Sequence, residues 1–297
     1  MSGVFSEIWT GEMIKAFRPS KEATAWYDRI KSFDQYVNAD VIHFTELGGD
    51  PSVLVNNSTY PLNIESLKDA DKPVSLDKFD TSPTAVTDDE LHACSYAKMA
   101  SVLERHKEAL KSAVYRKAIH AIAPDGNTAK TPIVRTTGAT AEGRKKMTFT
   151  DLLSAKRACD KMGMPVSDRV LVLCSDHVND LLETEQKFRE AYNINQTEGK
   201  VARLYGFDIY EYDLTPYYGA NGAKKPFGAV TEDGDLQASV FYYNGRMMKA
   251  NGSVTFYHSE AKNDTLYHRN LVNYRKWSIC LPLKAENSIG AILSAKA

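Results

Sequence analysis

The stretch TFTDLLSAKRACDKMGMPVSDRVLVLCSDHVNDLL, Thr148–Leu182, changes character three times. Thr148-Phe-Thr-Asp151 has the spacing of a capping box, in which a hydroxyl and a carboxylate three residues on satisfy each other's backbone amides. Met147 and Leu152 stand where a hydrophobic staple would close over it. The helix so begun is predicted to run to about Met162, where Gly163 and Pro165 stop it. Val170-Leu-Val-Leu173 is a short uninterrupted apolar run, which reads as a strand buried on both faces. A second helix is expected from Asp176 to about Tyr192. Helix, strand and helix in that order make an α/β unit, with Cys174, Ser175, Asp176 and His177 at the strand's C-terminal end. Ligands and nucleophiles of α/β proteins gather at such ends.

Four consecutive residues at a helix start fan out at about 100° each, so they cannot align as nucleophile, base and orienter. No glycine flanks Ser175 at the positions a nucleophile elbow needs. The expected role is architectural, with Ser175 as N-cap and Asp176 in the positive first turn. Elsewhere, His43, His92, His106, His120, His177, His258 and His268 show no metal-binding spacing. Gly48-Gly49-Asp50 and Gly138 to Gly143 lack phosphate-loop and dinucleotide patterns. Gly143-Arg-Lys-Lys146 reads as a solvated basic turn. No catalytic, cofactor-binding or metal-ligating residue is nominated, and the expectation is a protein that is not an enzyme.

Working outward, Thr87-Asp-Asp-Glu90 is a second capping box, stapled by Val86 and Leu91. Leu91, Met99, Leu103, Leu110, Val114, Ala118 and Ile122 keep helical spacing until Pro124-Asp-Gly126, so one helix of about 35 residues is predicted. Upstream, Gly48-Gly49-Asp50-Pro51 marks a turn flanked by strand-like Val41–Phe44 and Val53–Val55. A polar stretch with Pro61, Pro73 and Pro83 and the charged Lys68-Asp-Ala-Asp-Lys72 follows. This excursion has too few large apolar residues to bury itself and needs a partner. Residues 1–38 read as an arm. Downstream, Phe207–Tyr212 reads as an alternating strand and 215–235 as a loop. Four strands follow at Ala238–Tyr243, Ser253–His258, Leu271–Trp277 and Ile279–Leu283.

The chain has 297 residues, 43% hydrophobic and 25% charged, with a formal net charge of −1. That balance provides no global field toward nucleic acid or anionic membrane. No apolar run approaches the roughly 20 residues that span a bilayer. Cys94, Cys159, Cys174 and Cys280 are widely spaced, which favours reduced, packed thiols.

The order of parts (arm, long hairpin, very long helix, α/β unit, returning strands) resembles the major capsid proteins of tailed bacteriophages, the Hong Kong 97-type capsid fold. Ser6–Gly11 looks like the family's N-terminal arm. Val53–Pro61 and Val74–Asp80 look like the two strands of its extended loop, and Val86–Leu91 looks like the start of its spine helix. Thr148–Leu182 and Lys200–Tyr212 look like its axial domain. The resemblance implies an α+β fold in four parts: an arm (1–38), an extended loop (39–86), a peripheral domain (87–145 and 239–276) and an axial domain (146–238 and 277–297). It also implies hexamers and pentamers closing into an icosahedral shell around double-stranded DNA, in a virion whose subunits are made in a bacterial cytoplasm. Implied partners are other copies of the chain, a separate scaffolding protein, a portal, decoration proteins and weakly held DNA, with no membrane and no cofactor. The arm-like motif starts within about ten residues of Met1, so no scaffolding segment is expected before it. Some relatives crosslink a loop lysine to a neighbour; Lys68, Lys72 and Lys78 are loop lysines, with no motif for an acceptor. An encapsulin-like compartment and a cytosolic α/β enzyme are the alternatives.

Overall fold

The computed structural model describes residues 24–37, 41–46, 70–87, 89, 98–192 and 200–296. A helical turn, α1 (Ala25–Asp28), leads to strands β1 (Lys31–Ser32), β2 (Val41–Glu46), β3 (Ala70–Ser75), β4 (Asp77–Asp80) and β5 (Thr84–Thr87). The long helix α2 (Lys98–Ile122) follows, then β6 (Ile133–Arg135), β7 (Thr140–Ala141) and β8 (Arg144–Lys145). Next come α3 (Phe149–Lys161), β9 (Arg169–Leu173), α4 (Ser175–Thr184) and α5 (Gln186–Tyr192). The chain ends in strands β10 (Ala202–Leu204), β11 (Phe207–Glu211), β12 (Tyr217–Tyr218), β13 (Leu236–Tyr243), β14 (Met247–Ser259), β15 (Arg269–Pro282) and β16 (Ile289–Leu293).

The apolar run Val170–Leu173 lies where its composition predicts. β9 is central in a seven-stranded mixed sheet ordered β10-β11-β9-β13-β16-β6, with β12 on β13. Every residue of β9 is buried. Because side chains alternate along a strand, Val170 and Val172 face one core with Tyr210, Tyr212, Val240 and Tyr242. Leu171 and Leu173 face the other with Phe207, Ile209, Phe241 and Ile292. The helices α3 to α5 cover the second core through Leu152, Val178, Leu181 and Phe188. The first is covered by the C-terminal half of α2, through Val114, Ala118, Ile119 and Ile122, and by Trp26. Each such buried aliphatic side chain is worth about 1.5–3 kcal/mol, so this layering dominates the subunit's stability.

The second sheet has five strands, β1-β14-β15-β4 with β5 also on β15. Val102 of α2 packs there against Val86 and Val272. One helix therefore covers both sheets, the stripe Leu110, Val114, Ala118 and Ile122 being buried as its spacing predicts. The capping box at Thr87–Glu90 lies largely outside the described residues, Thr87 itself ending β5. Residues 24–37 also span both sheets. Trp26 is fully buried on the seven-stranded side, and β1 pairs in parallel with β14 on the other. The C-terminal part of the expected arm is thus built into the subunit's own core.

Helix α3 ends as Gly163 predicts. Gly163 has φ +68°, its N–H bonds Asp160 O at 3.1 Å, and the Met164 N–H reaches back to Cys159 O at 3.0 Å. That is a Schellman cap, and only glycine takes the left-handed turn without strain.

Several sequence-based expectations are corrected. The single helix to Tyr192 is two, broken at Glu185, which is extended (φ −120°, ψ 103°). Its carboxylate accepts the Phe149 N–H at 3.3 Å, so it serves the positive start of α3. β2 pairs antiparallel with Ala70–Ser75 in the register Glu46↔Ala70 to Val41↔Ser75; Val53–Val55 lies outside the described residues. Lys72 is therefore a strand residue opposite Phe44. The excursion's base is rooted in the subunit: Ile42 and Leu76 are buried against Met248 and Ala250. β11 does not alternate in burial, because β9 and β10 flank it and cores lie on both faces. β15 is one strand through Ser278, whose hydroxyl donates to Ala250 O at 3.3 Å and so satisfies itself inside the sheet. β14 begins at Met247, its register shifting between Asn251 and Val254. β13, from 236, and β6, within 133–135, belong to the seven-stranded sheet, while β15 stays in the five-stranded sheet to Pro282.

Candidate functional site

The turn after β9 holds Cys174 and His177 fully buried, with Ser175 half-buried and Asp176 exposed. Cys174, with extended backbone (φ −75°, ψ 158°), takes the N-cap position that the sequence reading gave to Ser175, and no side chain caps this end. The strand remains extended one residue longer because the Cys174 N–H is held by Ser239 Oγ at 3.0 Å. His177 reaches across the sheet: its Nδ1 lies 2.7 Å from Ser239 Oγ and its Nε2 2.9 Å from Ser294 Oγ. The imidazole thus ties α4 to β13 and to the chain just after β16.

Burial sets the protonation states. Desolvation lowers the His177 pKa to about 4 and raises the Cys174 thiol to about 11. Desolvation likewise pushes Cys159 and Cys280 up to about 12. These three cysteines are free, buried thiols; Cys94 lies outside the described residues. A neutral imidazole between two hydroxyls can accept a proton, but His177 and Cys174 are 0% exposed, and a nucleophile without solvent contact cannot meet a substrate. The arrangement is a satisfied polar tie.

Arg144, expected in a solvated turn, is instead buried. Its guanidinium forks onto Asp180, Nη1–Oδ2 2.6 Å and Nη2–Oδ1 3.1 Å. The same Asp180 oxygen accepts the Met147 N–H at 2.9 Å, and Lys146 pairs with Glu183 at 2.6 Å. Asp151 takes the Thr148 N–H at 2.9 Å and the Thr137 hydroxyl at 2.7 Å. Arg169, 1% exposed, pairs with Asp160 at 2.9 Å and donates to Pro165 O at 2.8 Å. Arg29 binds Asp208 at 2.6 Å. Burial pushes the Asp208 carboxyl up, but Arg29 and Lys200 outweigh it and leave it below its usual range. Sequence spacing gives no signal for these long-range pairs.

Of the other candidates, His106 is buried on α2, with Nδ1 2.7 Å from Thr81 Oγ1 and Nε2 2.9 Å from Thr84 Oγ1. His120 Nε2 donates to Lys225 O at 2.8 Å. Lys78 lies on β4, 3.7 Å from Asp80; Lys68 and His92 are outside the described residues. Among the described residues no three His, Cys, Asp or Glu side chains form a metal-binding group.

Comparison of the whole chain with solved structures is decisive where side chains are not. A chain of Mycobacterium phage Che8 superposes with a TM-score of 0.67 at 11% identity, covering 98% of each chain. The capsid of cyanophage P-SCSP1u gives 0.64 at 17% identity, over 99% of this chain and 94% of that one. The cyanophage Pam1 capsid gives 0.66 at 12%, over 97% and 96%. The fold is the Hong Kong 97-type capsid fold. Neither a protein-family model nor a curated protein matches the sequence. Within this fold, the buried ties around His177, Arg144 and Arg169 hold the α/β unit, and α2 packs on both sheets.

Proposed function

We propose that this chain is the major capsid protein of a tailed bacteriophage, a subunit that assembles with copies of itself into a closed shell around double-stranded DNA. The carrying observation is that phage capsid chains share its fold along almost the whole length of both partners. Exposed apolar side chains at the far end of the β14–β15 pair add support: Val254, Phe256, Tyr257, Leu266 and Tyr267 are 43–83% exposed. A monomer leaves that apolar area in water, whereas a neighbouring subunit would bury it. On this reading the role is structural and not enzymatic, the protein resides in the virion, and its subunits are made in the host cytoplasm. Hexamers and pentamers are the expected assemblies, with scaffolding, portal and decoration proteins as further partners.

The parts follow the sheets. The five-stranded sheet with the N-terminal half of α2 would be the peripheral domain, the seven-stranded sheet with α3 to α5 the axial domain, and the β2–β3 excursion the extended loop. Negative-stain imaging of the purified protein is the test. Closed shells or rings of five and six are expected, and a protein that stays monomeric at high concentration overturns the reading.

A further inference from the structure

Strand β14 has a long edge that the described residues leave open. β1 pairs with it only at Met248 and Lys249, where the Phe33 N–H also bonds Lys249 O at 2.8 Å. Asp34 Oδ1 then accepts the Asn251 N–H at 2.7 Å, and the cover ends there. Along residues 252–259, no strand among the described residues pairs with the side of β14 that faces away from β15.

The register decides which backbone groups face that opening. Tyr274 of β15 accepts the Thr81 N–H at 2.9 Å and donates its own N–H to Thr81 Oγ1 at 2.9 Å. Its peptide groups therefore point away from β14. Its cross-strand partner is Phe256, and the two form a non-hydrogen-bonded pair. The N–H and C=O of Phe256 thus point outward, and by the two-residue alternation so do those of Val254 and His258. Three residues with two groups each make a row of donors and acceptors about 14 Å long.

Edges of this kind are blunted in most proteins by lysine, proline or a bulge. Here the bulge between Asn251 and Val254 comes before the open row, and residues 252–259 include no Asp, Glu, Lys, Arg or Pro. Val254, Phe256 and Tyr257 are 61%, 45% and 43% exposed. An uncharged run of β-branched and aromatic residues with outward-facing backbone groups is a template for strand addition.

The pattern also selects the added strand. If the edge pairs antiparallel with itself, Phe256 opposite Phe256, then Val254 falls opposite His258 and all three outward-facing residues enter hydrogen-bonded pairs. Moving the centre by one residue carries one of the three onto the bulge or past the end of the strand. In the centred register the nearest charge, Glu260, falls opposite Gly252, so no like charges meet. We propose that the 254–258 edge of β14 pairs antiparallel with the same edge of a second copy, across a local two-fold axis. The choice of a second copy rests on the shell reading above; the open edge does not. A contact of this length buries far less than the roughly 1,200 Å² of a stable interface. Two free subunits therefore hold each other weakly, and the pairing persists where other contacts keep copies together.

The test is disulfide formation between full-length subunits that each carry one new cysteine, mixed at high concentration and oxidised in air. In the proposed register Thr255 lies opposite Tyr257 of the second copy as a non-hydrogen-bonded pair, Cα atoms about 4.5 Å apart, within disulfide reach. Two copies of Thr255 are about 8 Å apart, beyond it. Thr255→Cys mixed with Tyr257→Cys should give a dimer linked 255 to 257, identified by peptide mass, and neither subunit alone should give one. Adding Phe256→Lys to both subunits sets like charges opposite each other and should abolish the link. Phe256→Lys on one subunit and Phe256→Glu on the other should restore it, a rescue that a folding defect would not show. Failure of that rescue overturns the pairing, as does an equal yield of dimer from Thr255→Cys alone. Imaging the same proteins separates the two readings. Subunits that form shells without the 255–257 link overturn the pairing and leave the shell reading standing. Subunits that link but never form shells sink the shell reading and leave the pairing. Subunits that do neither sink both.

Discussion

His177 illustrates how one residue couples fold and pH. Its folded pKa is about 4, against roughly 6.5 in the unfolded chain. Between those values only the unfolded state takes up the proton. Its contribution is therefore fully present above pH 6.5 and is lost as pH falls toward 4, by up to about 3 kcal/mol. His177→Gln should flatten that part of the stability–pH curve, measured by urea unfolding at pH 7, 5.5 and 4.5; an unchanged slope would contradict the assignment. Asp180 and Ser175 offer a contrast. Asp180→Asn leaves the Arg144 charge buried, with only the half-exposed Asp176 nearby at 3.9 Å, and should cost about 3–5 kcal/mol. Ser175 is the first helical residue and not the cap, so Ser175→Ala should cost under about 0.5 kcal/mol. Thermal unfolding of both variants checks the ranking.

Among elements, those specified by local chemistry were legible in the sequence and those specified by distant partners were not. Gly163 and the Thr148–Asp151 pair announced both ends of α3, because caps are made within a few residues. Gly163→Ala isolates this: no atom lies within 4 Å of the added Cβ, so the cost is conformational alone, about 1 kcal/mol. Its melting temperature should fall by a few degrees, and an unchanged value would argue against the cap. The break at Glu185 was hidden because its cause, the α3 N-terminus, lies 36 residues away. β15 was read as two strands because Ser278 interrupts the apolar pattern, and the carbonyl that satisfies it is on β14. The strand-to-helix turn at 174–177 was legible in the sequence to within one residue, the N-cap falling on Cys174, but its ties to Ser239 and Ser294 were not. Nothing in their spacing places those residues beside His177.

At the scale of the whole molecule, the order of elements carried more than any single residue. The long helix finds both of its sheets within its own chain, whereas a hairpin whose far residues find no core in the sequence pattern calls, on the shell reading proposed above, for a neighbour's surface. The register makes this testable. Glu46 pairs with Ala70, so 47–69 can be replaced by a two-residue Asn-Gly turn, the hairpin connection whose twist matches the flanking strands. Ile42 and Leu76 stay buried on Met248 and Ala250, and the four β4 pairs with β15 remain intact. The excised subunit should therefore remain folded, with the wild-type melting temperature. If 47–69 provide contact between subunits, it should also sediment as small species where the wild type forms shells. A deeper cut, 45–80, should unfold the subunit, because it removes Leu76 and all of β4. Normal shells from the short excision would refute the assembly role of 47–69. A subunit that failed to fold after it would mean that the segment belongs to the core of its own chain.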